Sequence, residues 1–119
     1  MPIPPLQVIL DTDFLYRRLA PGHISPDGSV NSNAFKLNGH PDPEPSVSLA
    51  RLTNIQEAFA DALARGPEFK VGILSVRKLR AAGFDVMHKP TDANPAHCLI
   101  IGNTQKATCR QLANLTNVL

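Results

Sequence analysis

The distribution of prolines constrains what this chain can fold into more than any other feature of its sequence. Eight of the eleven prolines precede residue 46, and Pro41, Pro43 and Pro45 occupy alternate positions. Each proline removes a backbone hydrogen-bond donor and biases the preceding residue away from helix. We therefore expect one domain over residues 1–119, with an irregular, loop-rich portion at 1–45 and a compact α/β portion at 46–119 that supplies a core by itself.

Hydrophobic spacing organises the second portion into alternating strands and helices. Strands are predicted at residues 46–50, 69–74, 84–88 and 96–101, and helices between 53 and 66, at 76–82 and after 104. The apolar face of the first helix consists of Ile55, Phe59, Ala62 and Leu63. Thr53 and Gln56 fit a capping box at its start. This order predicts an α+β fold with a small mixed sheet, two or three helices and an irregular, proline-rich first third.

The first portion specifies fewer elements. Residues 14–19 fit either a helix or a strand. Two turn signals, Pro21-Gly22 and Pro26-Asp27-Gly28, predict a loop over 20–28, because proline sets φ and the following residues tolerate positive φ. Residues 30–37 read as a weakly alternating extended piece, and residues 38–45 as an extended linker.

Charge and composition argue against two classes of partner. Twelve Lys and Arg against ten Asp and Glu give a net charge of +2, and the chain has no Trp, one Tyr and five Phe. Nucleic acid is disfavoured, because binding it requires several phosphates to be neutralised and bases to be stacked. A membrane is disfavoured too, because no apolar run approaches about 20 residues. The first five residues show no secretory signal, which predicts a cytoplasmic protein.

The sequence predicts no metal and no cofactor. Cys98 and Cys109 are eleven residues apart with no Cys-x-x-Cys, so we expect two reduced core residues. The four histidines make no pair at zinc-ligand spacing, and no glycine-rich phosphate loop is present.

His97 and Asn94 are candidate binding residues, and His97 is also the candidate for catalysis. They belong to Asn94-Pro95-Ala96-His97 at the start of the most hydrophobic strand. There an imidazole either bonds to a neighbouring carbonyl or faces a cleft. Asn94 can instead bond its own backbone two residues on.

A second group of candidate binding residues precedes the prolines at 41–45: Arg17, Arg18, His23 and Asn33. Adjacent residues of a strand point to opposite faces, so only one arginine can serve an inner site. Held there, it would clamp a carboxylate or phosphate with two parallel hydrogen bonds. The other arginine is expected in a surface salt bridge with a nearby aspartate.

Nucleophilic catalysis lacks a recognisable motif. Ser48 and Ser75 have no Gly-x-Ser-x-Gly elbow, and a triad would need His97 beside one of them with Asp85 or Asp92 behind it. Cys98 follows His97 directly, so the two side chains point to opposite faces of a strand and cannot act as nucleophile and base.

Five short motifs carry a resemblance. They are Leu15-Tyr16-Arg17-Arg18, the turn with Asp27-Gly28, Ala34-Phe35, Ser46-Val47-Ser48 and Asn94-Pro95-Ala96-His97. Together they resemble a small family of uncharacterised bacterial proteins, which implies a bacterial origin. The chain is also similar to ADP-ribosyltransferase-type domains, in which an early strand carries an arginine or histidine and a later junction carries serines. That likeness implies matching positions at Arg17 and at Ser46 or Ser48.

Two functions remain open from the sequence. The first is a non-enzymatic binding or protein-interaction module for a protein or a small anionic ligand, favoured because no catalytic constellation is complete. The alternative is a small transferase or hydrolase that uses His97 and an arginine clamp in one pocket. Edge strands of a small sheet would also allow a homodimer.

Overall fold

A six-stranded sheet lies at the centre of the computed structural model, which describes residues 6–119. The strands in chain order are β1 (Phe14–Leu19), β2 (Lys36–Leu37), β3 (His40–Pro41), β4 (Ser46–Leu49), β5 (Lys70–Ser75), β6 (Asp85–His88), β7 (His97–Ile101) and β8 (Asn117–Val118). The order across the sheet is β6-β7-β4-β1-β5-β8, and β2 with β3 forms a separate hairpin. Every strand pair is antiparallel rather than mixed.

Three α-helices within the described part of the chain complete the fold and confirm the α+β class. They are α1 (Ile55–Arg65), α2 (Val76–Ala81) and α3 (Lys106–Asn114). Short 3-10 helices lie at Pro21–His23, Ser32–Phe35 and Ala50–Leu52. Within residues 6–119 the longest helix has 11 residues, and none is long and apolar enough to cross a membrane. Residues 1–5, on which the prediction of no secretory signal rests, lie outside the described residues.

The hydrophobic core lies on one face of the sheet. Leu15 and Leu19 of β1, Leu49 of β4 and Ile100 of β7 are fully buried there, under α2, α3 and the 3-10 helix that contains Phe35. Between residues 6 and 45 the core contains six residues: Ile9, Leu15, Leu19, Val30, Ala34 and Phe35. Residues 46–119 therefore do not supply the core by themselves, because β1, one of the two central strands, comes from the first portion.

The opposite face of the sheet is only partly covered. Helix α1 packs against β1 and β5. The register places Tyr16 beside Ser48 and Ser48 beside His97, so these side chains line up across β1, β4 and β7. Since α1 lies to one side of this row, the face remains accessible around it.

The apolar face predicted for α1 is largely solvent-exposed. Ala62 is buried, but Phe59 and Leu63 remain 38% and 60% exposed. The helix begins with Asn54 rather than Thr53 as its cap, because the Asn54 side chain accepts a hydrogen bond from the backbone N–H of Glu57 at 2.9 Å. The predicted capping box at Thr53 is therefore wrong by one residue.

Three further segments differ from the sequence prediction. Half of the extended piece at 30–37 is a 3-10 helix, because the Asn31 side chain caps it and Phe35 is buried against α3. The linker at 38–45 contains β3, which pairs with β2. The last helix ends at Asn114, where the chain turns so that β8 can pair with β5.

Candidate functional site

An open cleft of about 610 Å³ lies between the uncovered face of the sheet and α1. Five of the six predicted binding residues line it: Arg17, Arg18, His23, Asn94 and His97. Asn33 does not, because it is exposed on the 3-10 helix at 32–35, where its backbone N–H donates to the Asn31 side chain. The fold thus brings together residues that lie up to 80 positions apart in the chain, from Arg17 to His97.

His97 satisfies both of the roles that its sequence position left open. Its Nδ1 lies 2.8 Å from the carbonyl oxygen of Lys89, and its Nε2 lies 3.1 Å from Oγ of Ser46. A carbonyl oxygen only accepts hydrogen bonds, so we assign the ring proton to Nδ1. In the neutral ring Nε2 is then an acceptor at the edge of the cleft.

Asn94 also plays two roles. Its Oδ1 accepts from the backbone N–H of Ala96 at 3.1 Å, which is the local turn expected from the sequence. Its Nδ2 donates to Oγ of Ser48 at 3.0 Å and so ties the loop before β7 to β4. The two serines of β4 therefore have different partners, an amide at Ser48 and an imidazole at Ser46.

Arg17 leaves β1 on the core side of the sheet and binds backbone oxygens. Its Nη1 donates to the carbonyl of Ser46 at 2.6 Å, and its Nε and Nη2 donate to the carbonyl of Ala34 at 3.2 and 2.6 Å. The guanidinium lies 4.9 Å from the ring centre of Phe35. Burial lowers the pKa of Arg17 to about 10, the Asp42 carboxylate opposes that shift, and Arg18 adds to it. Arg17 thus holds the backbone of the site.

Arg18 leaves β1 on the cleft side. Its Nη1 donates to Oδ2 of Asp61 on α1 at 2.8 Å. This is the salt bridge to an aspartate expected for one of the two arginines, but its partner lies 43 positions away rather than nearby in sequence. Glu57 and Arg65 of α1 line the same wall of the cleft, so this wall carries both signs of charge.

His23 lies at the end of the cleft on the 3-10 helix at 21–23. Its Nδ1 accepts from the backbone N–H of Ala20 at 3.1 Å. Burial lowers the pKa of His23, and the Arg17 charge lowers it further. The neutral ring is therefore favoured, and its role is to hold the turn that follows β1.

Neither serine that the sequence offered for a triad, Ser48 or Ser75, hydrogen-bonds to His97. Ser75 accepts from the backbone N–H of Lys78 and caps α2, while Ser48 binds Asn94. Ser46 is the serine that contacts His97, and the other ring nitrogen of His97 bonds to the Lys89 carbonyl rather than to Asp85 or Asp92. The period-two spacing of Ser46 and Ser48 was the available signal, since both lie on one face of a strand.

Neither cysteine belongs to the cleft. Cys98 and Cys109 are buried and free. Across residues 6–119 no three His, Cys, Asp or Glu side chains form a group that could hold a metal ion.

Comparison with known proteins gives no family assignment. No family model, no curated protein and no solved structure matches this chain significantly. The two resemblances drawn from the sequence motifs therefore stay predictions.

Proposed function

We propose that this domain is a binding module that takes a small anionic molecule into the cleft between the sheet and α1. The observation that supports this most is the convergence of Arg18 and Arg65 with the polar groups of Ser48, Asn94 and His97 around one open volume. Loops and strand ends held by a rigid sheet are where binding sites usually lie. We also propose, as the sequence predicts, that the protein is bacterial and cytoplasmic.

The salt bridge between Arg18 and Asp61 is suited to exchange with a ligand. The two side chains are 37% and 59% exposed, so their attraction is screened by water and contributes little to stability. A carboxylate or phosphate can take the place of Asp61 and accept two parallel hydrogen bonds from the guanidinium. The free-energy cost of breaking this salt bridge to admit such a ligand is therefore small.

Groups on the sheet can bind the remainder of the ligand. The hydroxyl of Ser48 and the amide of Asn94 already bond to each other and form a polar edge opposite α1. Partly buried polar groups of this kind fix the orientation of a ligand after charged groups have attracted it.

The proposal is tested by titrating the protein with inorganic phosphate and with citrate while recording amide NMR shifts. We expect shifts confined to β1, β4, the loop before β7 and α1. Arg18→Ala and Arg65→Ala should each raise Kd about tenfold or more, because each removes charged hydrogen bonds worth roughly 1.5–3 kcal/mol.

Arg77→Ala is the matched control, since Arg77 is an exposed arginine on α2, outside the cleft. It should leave Kd unchanged. Shifts spread over the whole surface, or equal weakening by Arg77→Ala, would show unspecific attraction and contradict the proposal.

A second candidate function is a hydrolase or transferase acting through His97. The hydrogen bond between His97 and Ser46 is the observation that favours it.

A further inference from the structure

We infer that Ser46 is a nucleophile activated by His97 and that it cleaves small carboxylic esters bound in the cleft. Nucleophilic catalysis by serine needs a base within hydrogen-bond reach and a third group that orients the base. The chain supplies the three groups as Ser46 Oγ, His97 Nε2 at 3.1 Å, and the Lys89 carbonyl at 2.8 Å from Nδ1.

The imidazole is held in the tautomer that this role requires. Lys89 and His97 are joined by two hydrogen bonds, from the Lys89 N–H to the His97 carbonyl at 2.9 Å and between His97 Nδ1 and the Lys89 carbonyl. The accepting oxygen, the Lys89 carbonyl, therefore belongs to a backbone segment that is fixed at the end of β6. With the proton on Nδ1, Nε2 is free to receive the proton of Ser46.

Ser46 is held from the other side. Its residue pairs with Leu99 in the β4–β7 register, and its carbonyl accepts from Arg17 Nη1 at 2.6 Å. The side chain itself is exposed and lines the cleft, so a substrate carbon can approach Oγ. A fixed backbone with an accessible hydroxyl is the arrangement that an attacking serine needs.

Other serine hydroxyls have different partners. Ser48 binds an amide, Ser75 a backbone N–H, and Ser29 the carboxylate of Asp27. Among residues 6–119 the hydrogen bonds join an imidazole to a hydroxyl only at Ser46 and His97.

The proposed ester hydrolysis needs no reactant other than the ester and water. Ser46 Oγ forms a bond to the ester carbonyl carbon, and its proton passes to His97 Nε2 and then to the oxygen of the departing alcohol. Water attacks the acyl-serine, gives a proton through the same nitrogen back to Oγ, and releases the carboxylic acid. One ester and one water thus yield one acid and one alcohol.

The substrate class rests on the proposed function. If Arg18 and Arg65 hold an anion, the preferred ester carries a carboxylate or phosphate a few bonds away from the reacting carbonyl. An ester of a dicarboxylic acid with one free carboxylate meets this requirement.

The test is covalent labelling with a fluorophosphonate probe, read by intact mass and peptide mapping. The serine oxygen bonds to phosphorus, fluoride leaves, and the proton goes to His97. We expect one adduct at Ser46, none in Ser46→Ala, and labelling at least about a hundredfold slower in His97→Gln, in line with the usual contribution of a general base.

Ser29→Ala is the matched control, because it removes an exposed hydroxyl that bonds to a carboxylate outside the cleft. Its labelling rate should equal that of the parent protein. Circular dichroism and the urea midpoint of each variant separate loss of the nucleophile from loss of the fold.

A second readout compares the rates at which the protein hydrolyses two esters, the anionic mono-p-nitrophenyl succinate and the neutral p-nitrophenyl acetate. Preference for the anionic ester, lost in Arg18→Ala, supports both the inference and the proposed function. No adduct at Ser46 while phosphate still binds overturns the inference alone. An adduct at Ser46 with no binding of phosphate or citrate overturns the proposed binding function and leaves the nucleophile in place.

Discussion

At the scale of single residues, Arg17 shows how a charged side chain can hold separate backbone segments together through hydrogen bonds to their carbonyls. All of its hydrogen bonds go to two carbonyl oxygens, of Ala34 and Ser46, and the ring of Phe35 covers the guanidinium. The sequence predicted an arginine near a site at this position. It did not reveal the role, because the carbonyls come from segments 17 and 29 positions away.

Arg17→Lys should destabilise the protein by about 1–3 kcal/mol, since an ammonium group cannot reproduce the planar fork that binds both carbonyls. The free energy of unfolding in urea measures the change. Arg77→Lys, on the exposed face of α2, is the control and should stay within about 0.5 kcal/mol of the parent. Equal stability of the two variants would show that the bonds made by Arg17 contribute nothing.

At the scale of elements, the sequence predicts an element correctly where its own hydrophobic spacing and flanking turn residues set its bounds. The strands at 46–49, 70–75, 85–88 and 97–101 and helix α2 were predicted within one residue at every end. The segment at 30–37 was not, because its 3-10 helix depends on burial of Phe35 under α3. The cap of α1 was missed because Thr53 and Asn54 are both good capping residues.

Asn54→Ala should cost about 1 kcal/mol, because it leaves the backbone N–H of Glu57 without its side-chain acceptor. Gln56→Ala, which removes the partner of the box predicted at Thr53, should cost less than about 0.5 kcal/mol. Urea unfolding of the two variants compares the caps directly. A larger loss in Gln56→Ala would restore the original prediction.

At the scale of the whole molecule, the site depends on strand pairing that local patterns do not encode. Ser46 and His97 are 51 positions apart and meet because β4 lies beside β7. Arg18 and Asp61 meet because α1 packs against β1. The candidate residues could be found from the sequence, whereas their partners required the order of the strands.

The buried thiol of Cys98 makes the stability of the protein depend on pH. Burial raises the pKa of its thiol to about 11 from an ordinary value of 9.0. The folded state therefore favours the neutral thiol, and this contribution is complete below pH 9 and lost as the pH rises towards 11. Between pH 9 and pH 11 the free energy of unfolding should fall more steeply in the parent than in Cys98→Ala. Parallel curves for the two proteins would contradict this expectation.

The central position of β1 has a consequence for synthesis. β1 ends at Leu19, but its neighbours end at Leu49 and Ser75, and β5 gains its outer partner only with β8 near residue 118. At a ribosomal speed of about 5–20 residues per second, β1 waits roughly 3–11 s before β5 has been made. During that interval Leu15 and Leu19, both fully buried in the finished protein, are available to a chaperone on the nascent chain.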